Sequence, residues 1–205
     1  MDPTRPRIGL LGGSFDPPHL AHLALALCAQ DALALDELRW LPAGQPWQKA
    51  GRPMTDGAHR LAMVQLLMHG RPRMSVDDRE LRRQGASYTI DTVLELSAEQ
   101  PTAQWILILG QDQYARLHTW HRWRELLPLV TLAVAARSGA AARPEPEVAA
   151  VAHRQQMISM PRLDIAATDL RRLAARGEKL EPLVGPAAAG YIARHGLYRM
   201  EASGN

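Results

Sequence analysis

Short apolar runs alternate along the chain with segments in which apolar residues recur every three to four positions. The runs are typical of strands buried on both faces of a sheet, and the longer spacing is typical of amphipathic helices. Strands are predicted at residues 7–11, 37–41, 74–76, 105–109, 129–135 and 157–160. Helices are predicted at about residues 20–31, 57–69, 88–97 (with Ser87 as N-cap), 113–117, 120–127, 148–154, 168–176 and 186–195.

The regular alternation of these two patterns predicts an α/β fold, a Rossmann-like doubly wound parallel sheet with crossover helices. A small helical part, at about residues 165–200, follows the alternating region. The 205 residues suffice for one well-buried core and are too few for two comfortable domains. We therefore expect a single domain over residues 1–205, in which residues 138–147 form a surface connection.

The composition is that of a globular protein, with 46% hydrophobic and 22% charged residues. The longest apolar stretch, residues 126–136, contains Pro128 and Thr131 and is too short to span a membrane. The N-terminus lacks the apolar region of a signal peptide, and the single cysteine, Cys28, can form no disulfide within the chain. These observations predict a cytoplasmic protein with no membrane partner.

The formal net charge is a modest +3, and no block of like charge marks a nucleic-acid-binding arm. Small phosphorylated molecules suit this balance better than DNA or RNA does, so we expect no nucleic-acid partner. The sequence leaves the oligomeric state open.

A glycine turn follows the first predicted strand and leads into a helix that begins with two histidines. Gly12 and Gly13 allow the main chain to approach a ligand closely, and the N–H groups of a helix N-terminus bind anions. His19 and His22 are three residues apart, so both imidazoles can face one point. The pattern predicts a phosphate site. It lacks the glycine spacing of dinucleotide sites, and no third ligand for zinc stands out.

The segment Gly12-Gly-Ser-Phe-Asp-Pro-Pro-His-Leu-Ala-His22 resembles the G-G-[ST]-F-D-P-x-H-x-G-H signature of the nucleotidyltransferase superfamily. In that superfamily the two histidines bind the triphosphate of a nucleotide, which implies catalytic roles for His19 and His22. The ATP contacts that the resemblance implies in this segment are Gly12, Gly13, Ser14, Phe15 and His22. Ala21 replaces the usual glycine, and its methyl group is expected to narrow the approach to the nucleotide.

A second segment, Ile165-Ala-Ala-Thr-Asp-Leu-Arg171, resembles the partner motif I-S-x-T-x-x-R of the same superfamily. Thr168 is predicted to be an N-cap, and Arg171, one turn later, projects a guanidinium from the same helix end. Both residues are therefore candidates for ATP binding, and Arg171 for catalysis. Ala166 replaces the usual serine, and Asp169 is expected to point outward because its charge opposes phosphate.

Four further segments resemble bacterial nicotinate-nucleotide adenylyltransferases, and together the resemblance covers essentially the whole chain. They are Ser87-Tyr-Thr-Ile-Asp91, Gly110-Gln-Asp112, Leu117-His-Thr-Trp-His-Arg-Trp123 and residues 183–198. The resemblance implies that Trp120 stacks on a pyridine ring, while Thr89 and the main chain at His121 hold its carboxylate. Trp123, Tyr191, Ile192 and Leu197 are instead assigned to packing.

The same resemblance implies nucleotide contacts at Gly110, Asp112 and Arg137. Lys49 is a candidate for binding the mononucleotide phosphate, and a solvated loop lysine is the alternative interpretation. Trp47 and Gln48, just before it, depart from the family pattern.

The resemblance implies transfer of AMP from ATP to nicotinate mononucleotide, which forms nicotinate adenine dinucleotide and pyrophosphate in NAD biosynthesis. Mg²⁺ is the expected cofactor, held mostly by the substrate, and no protein metal site is expected. Other acceptors (nicotinamide mononucleotide, phosphopantetheine) remain open. A non-catalytic nucleotide-binding protein is also an open alternative, because Ala21, Gln48 and Ala166 depart from the family motifs. A dehydrogenase is disfavoured by the glycine spacing and the missing ribose-binding acid.

Overall fold

A six-stranded parallel sheet forms the centre of the molecule. The computed structural model of the chain describes residues 5–46, 54–137 and 144–199. With elements numbered along the chain, the strands in spatial order are β4 (Met74–Val76), β2 (Glu37–Pro42), β1 (Arg7–Gly13), β6 (Gln104–Gly110), β7 (Val130–Arg137) and β8 (Arg154–Met160). Every neighbouring pair in this sheet is parallel. Two further short strands, β3 (Gln45–Pro46) and β5 (Ala86–Ser87), form a separate parallel pair.

Helices connect the strands and complete the C-terminal part. They are α1 (Leu20–Ala32), α2 (Gly57–Met68), α3 (Arg79–Arg82), α4 (Thr89–Glu99), α5 (Gln111–Ala115), α6 (Trp123–Leu126), α7 (Pro146–Ala149), α8 (Ala167–Ala175), α9 (Glu181–Val184) and α10 (Pro186–Arg194). Short 3₁₀ turns occupy Leu117–Thr119 and Leu127–Leu129. The predicted α/β architecture with a parallel sheet and crossover helices is confirmed.

Side chains of β6 divide between two apolar cores. Trp105 and Leu107 join α4, α5 and α6 on one face of the sheet, whereas Ile106 and Ile108 join α1 and α2 on the other. This alternation follows from the two-residue period of a strand. It explains why the strand is apolar at every position from Trp105 to Leu109, since both faces are covered by helices. Trp123 is buried in the first of these cores, as predicted.

The C-terminal helices pack on α2 through a third apolar cluster. Leu170, Val184 and Ile192 are buried there together with Met63 of α2. Tyr191 and Leu197 are partly buried against the same cluster, which confirms their assignment to packing. This contact brings the end of the chain beside the part of the sheet that carries the first glycine turn.

Two predicted elements differ from the structure around residues 146–160. The helix predicted to reach residue 154 ends at Ala149, and the strand predicted from residue 157 already begins at Arg154. The ladder from Thr131↔Arg154 to Arg137↔Met160 explains the longer strand. Hydrogen bonding with β7 thus outweighs the weak apolar pattern of residues 154–156.

The helix N-cap predicted at Ser87 is wrong. Tyr88 precedes the first residue of α4, and Ser87 lies in β5, where its hydroxyl donates a hydrogen bond to the Glu80 carbonyl oxygen at 3.4 Å. The short elements α3, α9, β3 and β5 were not predicted. No helix in the described ranges is long and apolar enough to cross a membrane.

Gly44 lies in the bend between β2 and β3, where there is no room for a side chain. A Cβ atom at Gly44 would lie 2.0 Å from the carbonyl oxygen of Glu80, a main-chain atom that cannot rotate away. We expect Gly44→Ala to lower the free energy of unfolding by about 1–3 kcal/mol through overpacking.

The matched control is Gly190→Ala in the interior of α10. Beyond that helix's own backbone, the nearest atom to a Cβ at Gly190 lies 3.8 Å away, so the change is expected to stabilise the helix by about 0.5–1 kcal/mol. Urea denaturation of both variants measures the difference. A Gly44→Ala protein as stable as the unmodified chain would contradict the steric explanation.

Candidate active site

The order of the strands creates a crevice at the carboxyl ends of β1 and β6. From β1 the sheet extends through β2 and β4 on one side and through β6, β7 and β8 on the other. The connections therefore leave in opposite directions, and ligands bind at such switch points. A cavity of about 410 Å³ lies there. Eight of the residues that line it were predicted as site residues: Gly12, Gly13, Ser14, Thr89, His22, Gly110, Trp120 and His121.

The turn after β1 presents its main chain to this cavity. A Cβ atom at Gly12 would meet no atom within 4 Å, so the backbone borders open space in which a ligand can approach it. Phe15 adopts a left-handed backbone (φ 48°), and its ring is buried. The centroid of the Phe15 ring lies 5.1 Å from that of His22, in an edge-to-face arrangement, and 5.3 Å from that of Trp40. The Phe15 ring thus supports His22, and any nucleotide contact at this residue is left to its main chain.

His19 and His22 stack on each other at the start of α1. Their ring centroids are 3.7 Å apart with an interplanar angle of 26°, as the three-residue spacing predicts. His19 is the N-cap, and its backbone N–H donates a hydrogen bond to Nδ1 of His22 at 3.2 Å. Because Nδ1 accepts, a neutral His22 carries its proton on Nε2.

His19 is a neutral imidazole near pH 7. Burial lowers the pKa of His19 from its ordinary value of 6.5 to about 4, because the charged form would lose its hydration. Its Nδ1 atom is buried and has no hydrogen-bond partner among the described residues. A buried polar atom left unpaired costs free energy, so its presence next to the glycine turn suits a group that contacts a substrate.

Arg171 reaches from α8 to the loop that precedes α1. Its Nη1 donates to the carbonyl oxygen of Asp16 at 2.7 Å, and its Nη2 donates to Oγ1 of Thr168 at 3.4 Å. Asp16 is three residues before His19, so the guanidinium lies on the histidine-bearing loop. Residues that are 155 positions apart in sequence are thereby brought together.

Thr168 is not the N-cap of α8, which corrects the sequence-based prediction. Ala166 holds that position, and its carbonyl oxygen accepts hydrogen bonds from the N–H groups of Asp169 and Leu170. Thr168 lies within the first turn, where its hydroxyl contacts Arg171 instead. Asp169 is exposed and pairs with Arg172 at 3.2 Å, so it points outward as expected.

Trp120 and His121 line the cavity from the turn between the 3₁₀ helix Leu117–Thr119 and α6, and the helix predicted over residues 120–127 begins only at Trp123. Arg122 adopts a left-handed conformation (φ 51°), which separates the two residues before it from the helix. Arg122 forms ion pairs with Glu125 at 2.7 Å and with Asp91 of α4 at 3.5 Å. The segment is thus tied to the helix that carries Thr89.

Two residues that line the cavity were missed as site candidates. The ring of Tyr88 packs against His121 with a centroid distance of 4.2 Å. Tyr88 lies within the segment Ser87–Asp91, which also contains Thr89, so the sequence resemblance could have identified it. Glu80 has no such signal: it is buried, accepts a hydrogen bond from Oγ1 of Thr92 at 2.9 Å, and burial raises the pKa of its carboxyl group.

Five predicted site residues among those described do not line the cavity: Phe15, His19, Asp112, Thr168 and Arg171. Asp112 is exposed in the first turn of α5, next to Gly110. Arg137 ends β7, so its backbone lies at the carboxyl edge of the sheet. Ala21 is buried in α1 and does not line the cavity, so its methyl group does not narrow it. Lys49, with Trp47 and Gln48, falls outside the described residues.

The low pKa of His19 makes protein stability depend on pH. The unfolded chain binds a proton near pH 6.5 and the folded chain only near pH 4, so stability is complete above pH 6.5 and falls as the pH decreases. Between pH 7 and pH 5 the wild-type protein is expected to lose about 1–2 kcal/mol more than His19→Asn. Urea denaturation at both pH values measures this loss.

His69→Asn, at an exposed position, is the control and should keep the pH dependence of wild-type stability. A His19→Asn protein that also keeps this pH dependence would refute its assignment to His19.

Comparisons with known proteins agree with this geometry. Residues 10–173 match the family model described as cytidylyltransferase-like. A relative from Methylibium petroleiphilum, named probable nicotinate-nucleotide adenylyltransferase, is 50% identical over 94% of this chain and 92% of its own length. A relative of the same name from Bordetella petrii is 47% identical over 94% of this chain and 99% of its own.

Solved structures share the fold. Nicotinic acid mononucleotide adenylyltransferase from Plasmodium falciparum, complexed with NaAD, superposes with a TM-score of 0.79 at 17% identity, over 94% of this chain and 97% of the solved one. The same enzyme complexed with APC gives a TM-score of 0.76 at 16% identity, with the same coverage. With a family model matched over most of its length and relatives 47–50% identical over nearly all of it, the chain belongs to the cytidylyltransferase-like family and, within it, to the nicotinate-nucleotide adenylyltransferases.

Proposed function

We propose that this protein transfers AMP from ATP to nicotinate mononucleotide, forming nicotinate adenine dinucleotide and pyrophosphate in NAD biosynthesis. The observation that carries the proposal is the shared cavity. The glycine turn and His22, which suit phosphate, line the same cavity as Trp120, which suits a flat ring. The named activity of the relatives, and the NaAD complex of the Plasmodium falciparum enzyme, support the same reaction.

The reaction needs positioning more than acid–base chemistry. A phosphate oxygen of the mononucleotide attacks the α-phosphorus of ATP, one P–O bond forms, and the bond to the bridging oxygen breaks as pyrophosphate leaves. The attacking phosphate is already a nucleophile, so neither a general base nor a covalent intermediate is required. The protein lowers the barrier by aligning the two phosphates and by stabilising charge on the transferring and leaving groups.

His22, His19 and Arg171 provide that stabilisation in two forms. The imidazoles donate N–H groups to phosphate oxygens, and the guanidinium supplies positive charge. Arg171 uses one N–H on Asp16 and one on Thr168. A guanidinium has five N–H groups, so the same side chain can hold the loop and bind phosphate.

Magnesium enters with ATP as part of the substrate. In the described ranges, no group of three or more His, Cys, Asp or Glu residues is placed to hold a metal ion. Phosphate oxygens and water then provide its coordination, which is common for Mg²⁺ in phosphoryl transfer.

The acceptor is held by the aromatic part of the cavity. Trp120 stacks on the pyridine ring, a contact worth about 0.5–1.5 kcal/mol beyond the area that it buries. The hydroxyl of Thr89 and the main chain at His121 hold the nicotinate carboxylate. Both substrates are small molecules, and we place the reaction in the cytoplasm without a nucleic-acid partner.

Replacing His22 tests the phosphate-binding role directly. We expect His22→Ala to lower kcat by about 10²-fold or more, as the loss of one preorganised donor to a developing charge does. Pyrophosphate release at saturating ATP and mononucleotide measures kcat. His69→Ala, at the exposed end of α2, serves as the histidine control and should retain full turnover. Near-normal turnover of His22→Ala would contradict the assigned role.

An acceptor panel tests the substrate. With ATP and Mg²⁺, we expect pyrophosphate with nicotinate mononucleotide and none after chelation of the metal by EDTA. If pyrophosphate is released with nicotinamide mononucleotide or with phosphopantetheine but not with nicotinate mononucleotide, the molecule that supports release is the acceptor instead. ATP binding by calorimetry without pyrophosphate from any acceptor would instead indicate a non-catalytic nucleotide-binding protein.

A further inference from the structure

The loop that places the two histidines, residues 14–18, carries a buried carboxylate. Asp16 is only 5% exposed. Its Oδ1 accepts a hydrogen bond from the Tyr198 hydroxyl at 2.7 Å, and its Oδ2 accepts one from the Thr55 backbone N–H at 3.4 Å. A buried charge is tolerated only where such partners replace water. Among the described residues, the phenol of Tyr198 is the closer of the two donors to the carboxylate of this loop.

Tyr198 is held in an uncommon conformation at the far end of the chain. It follows α10, has a left-handed backbone (φ 64°), and is separated from Asp16 by 182 positions. Non-glycine residues keep a positive φ only where their surroundings enforce it. Burial, together with the nearby charge of Asp16, raises the pKa of Tyr198. The hydroxyl thus keeps its proton and remains a donor across the usual assay range.

Two arginines complete the attachment of the loop. Nη1 of Arg60, a buried residue of α2, donates to the carbonyl oxygen of Ser14 at 2.8 Å, and Arg171 donates to that of Asp16. Between them Phe15 has a left-handed backbone. The conformation of the loop is thus set by side chains from α2, from α8 and from the C-terminal segment. His19 and His22 follow directly from this loop, so their placement depends on those contacts.

We propose that Tyr198 is a positioning residue for adenylyl transfer. Through the Asp16 carboxylate it holds the loop so that the stacked imidazoles meet the triphosphate of ATP. The inference rests on the proposed function and assigns the C-terminal segment to the ATP half of the reaction. The acceptor residues Thr89 and Trp120 lie on other elements, and in the described residues the Tyr198 hydroxyl makes no hydrogen bond to either.

Tyr198→Phe removes the hydroxyl and leaves the ring. We expect kcat/KM for ATP to fall about tenfold, equivalent to about 1.4 kcal/mol and close to the lower end for a hydrogen bond to a charged group. KM for nicotinate mononucleotide should stay within about twofold of wild type, because the acceptor subsite is built from other elements. A general loss of stability would not separate the two substrates in this way.

Tyr191→Phe is the matched control. Tyr191 is also a partly buried C-terminal tyrosine, and its hydroxyl is bonded to Nδ1 of His59 at 2.9 Å, joining α10 to α2 without reaching the loop. Both variants remove a hydroxyl that forms hydrogen bonds, so both are expected to lower Tm. Only Tyr198→Phe should lower kcat/KM for ATP. Equal kcat/KM for ATP in the two variants, or a KM for nicotinate mononucleotide that rises by about tenfold in Tyr198→Phe, would overturn the proposal.

Calorimetric ATP binding without acceptor separates this inference from the proposed function. If the wild-type protein releases no pyrophosphate with any acceptor, the proposed reaction fails, yet Tyr198→Phe should still bind ATP more weakly than Tyr191→Phe. If Tyr198→Phe does not fold, Asp16→Asn and Asp16→Ala replace it. Asn keeps an oxygen that accepts from Tyr198, so it should retain more ATP affinity than Ala, and equal losses would count against the proposal.

Discussion

The pairing of β1 on both of its edges is the constraint on which the site depends. Its residues are registered against β2 on one side and β6 on the other, both in parallel. Ile8 and Leu10 are buried, so the strand cannot slide without exposing its apolar side chains. Because the connections on its two sides leave in opposite directions, the carboxyl end of β1 is left uncovered. Gly12 and Gly13 stand at that end, which puts the most permissive backbone of the chain beside the cavity.

A second layer of control comes from side chains far away in sequence. The loop after β1 has its carbonyl oxygens bonded by Arg60 and Arg171 and its carboxylate bonded by Tyr198. Burying Arg60 and Asp16 costs desolvation, so apolar replacements of similar volume would serve stability as well or better. These groups instead supply directional hydrogen bonds to a short loop that helices alone would not hold. We interpret these hydrogen bonds as fixing the positions of His19 and His22.

In the proposed mechanism, the two histidines donate hydrogen bonds and an arginine supplies the positive charge. Burial keeps His19 neutral, and the bond to Nδ1 of His22 directs the proton of that ring to Nε2. Both imidazoles donate hydrogen bonds, whereas the positive charge is supplied by the guanidinium of Arg171.

The sequence by itself determined the α/β class, the six main strands and the shared direction of His19 and His22. Each depends on local periodicity or on a three-residue spacing, which short-range geometry fixes. Only the tertiary structure decided that Thr168 contacts Arg171 inside a helix, that Trp120 lies in a turn before α6, and that Tyr198 binds Asp16. Those outcomes depend on hydrogen bonds and packing between residues far apart in the chain, and no local pattern encodes which distant carbonyl or carboxylate a side chain will meet.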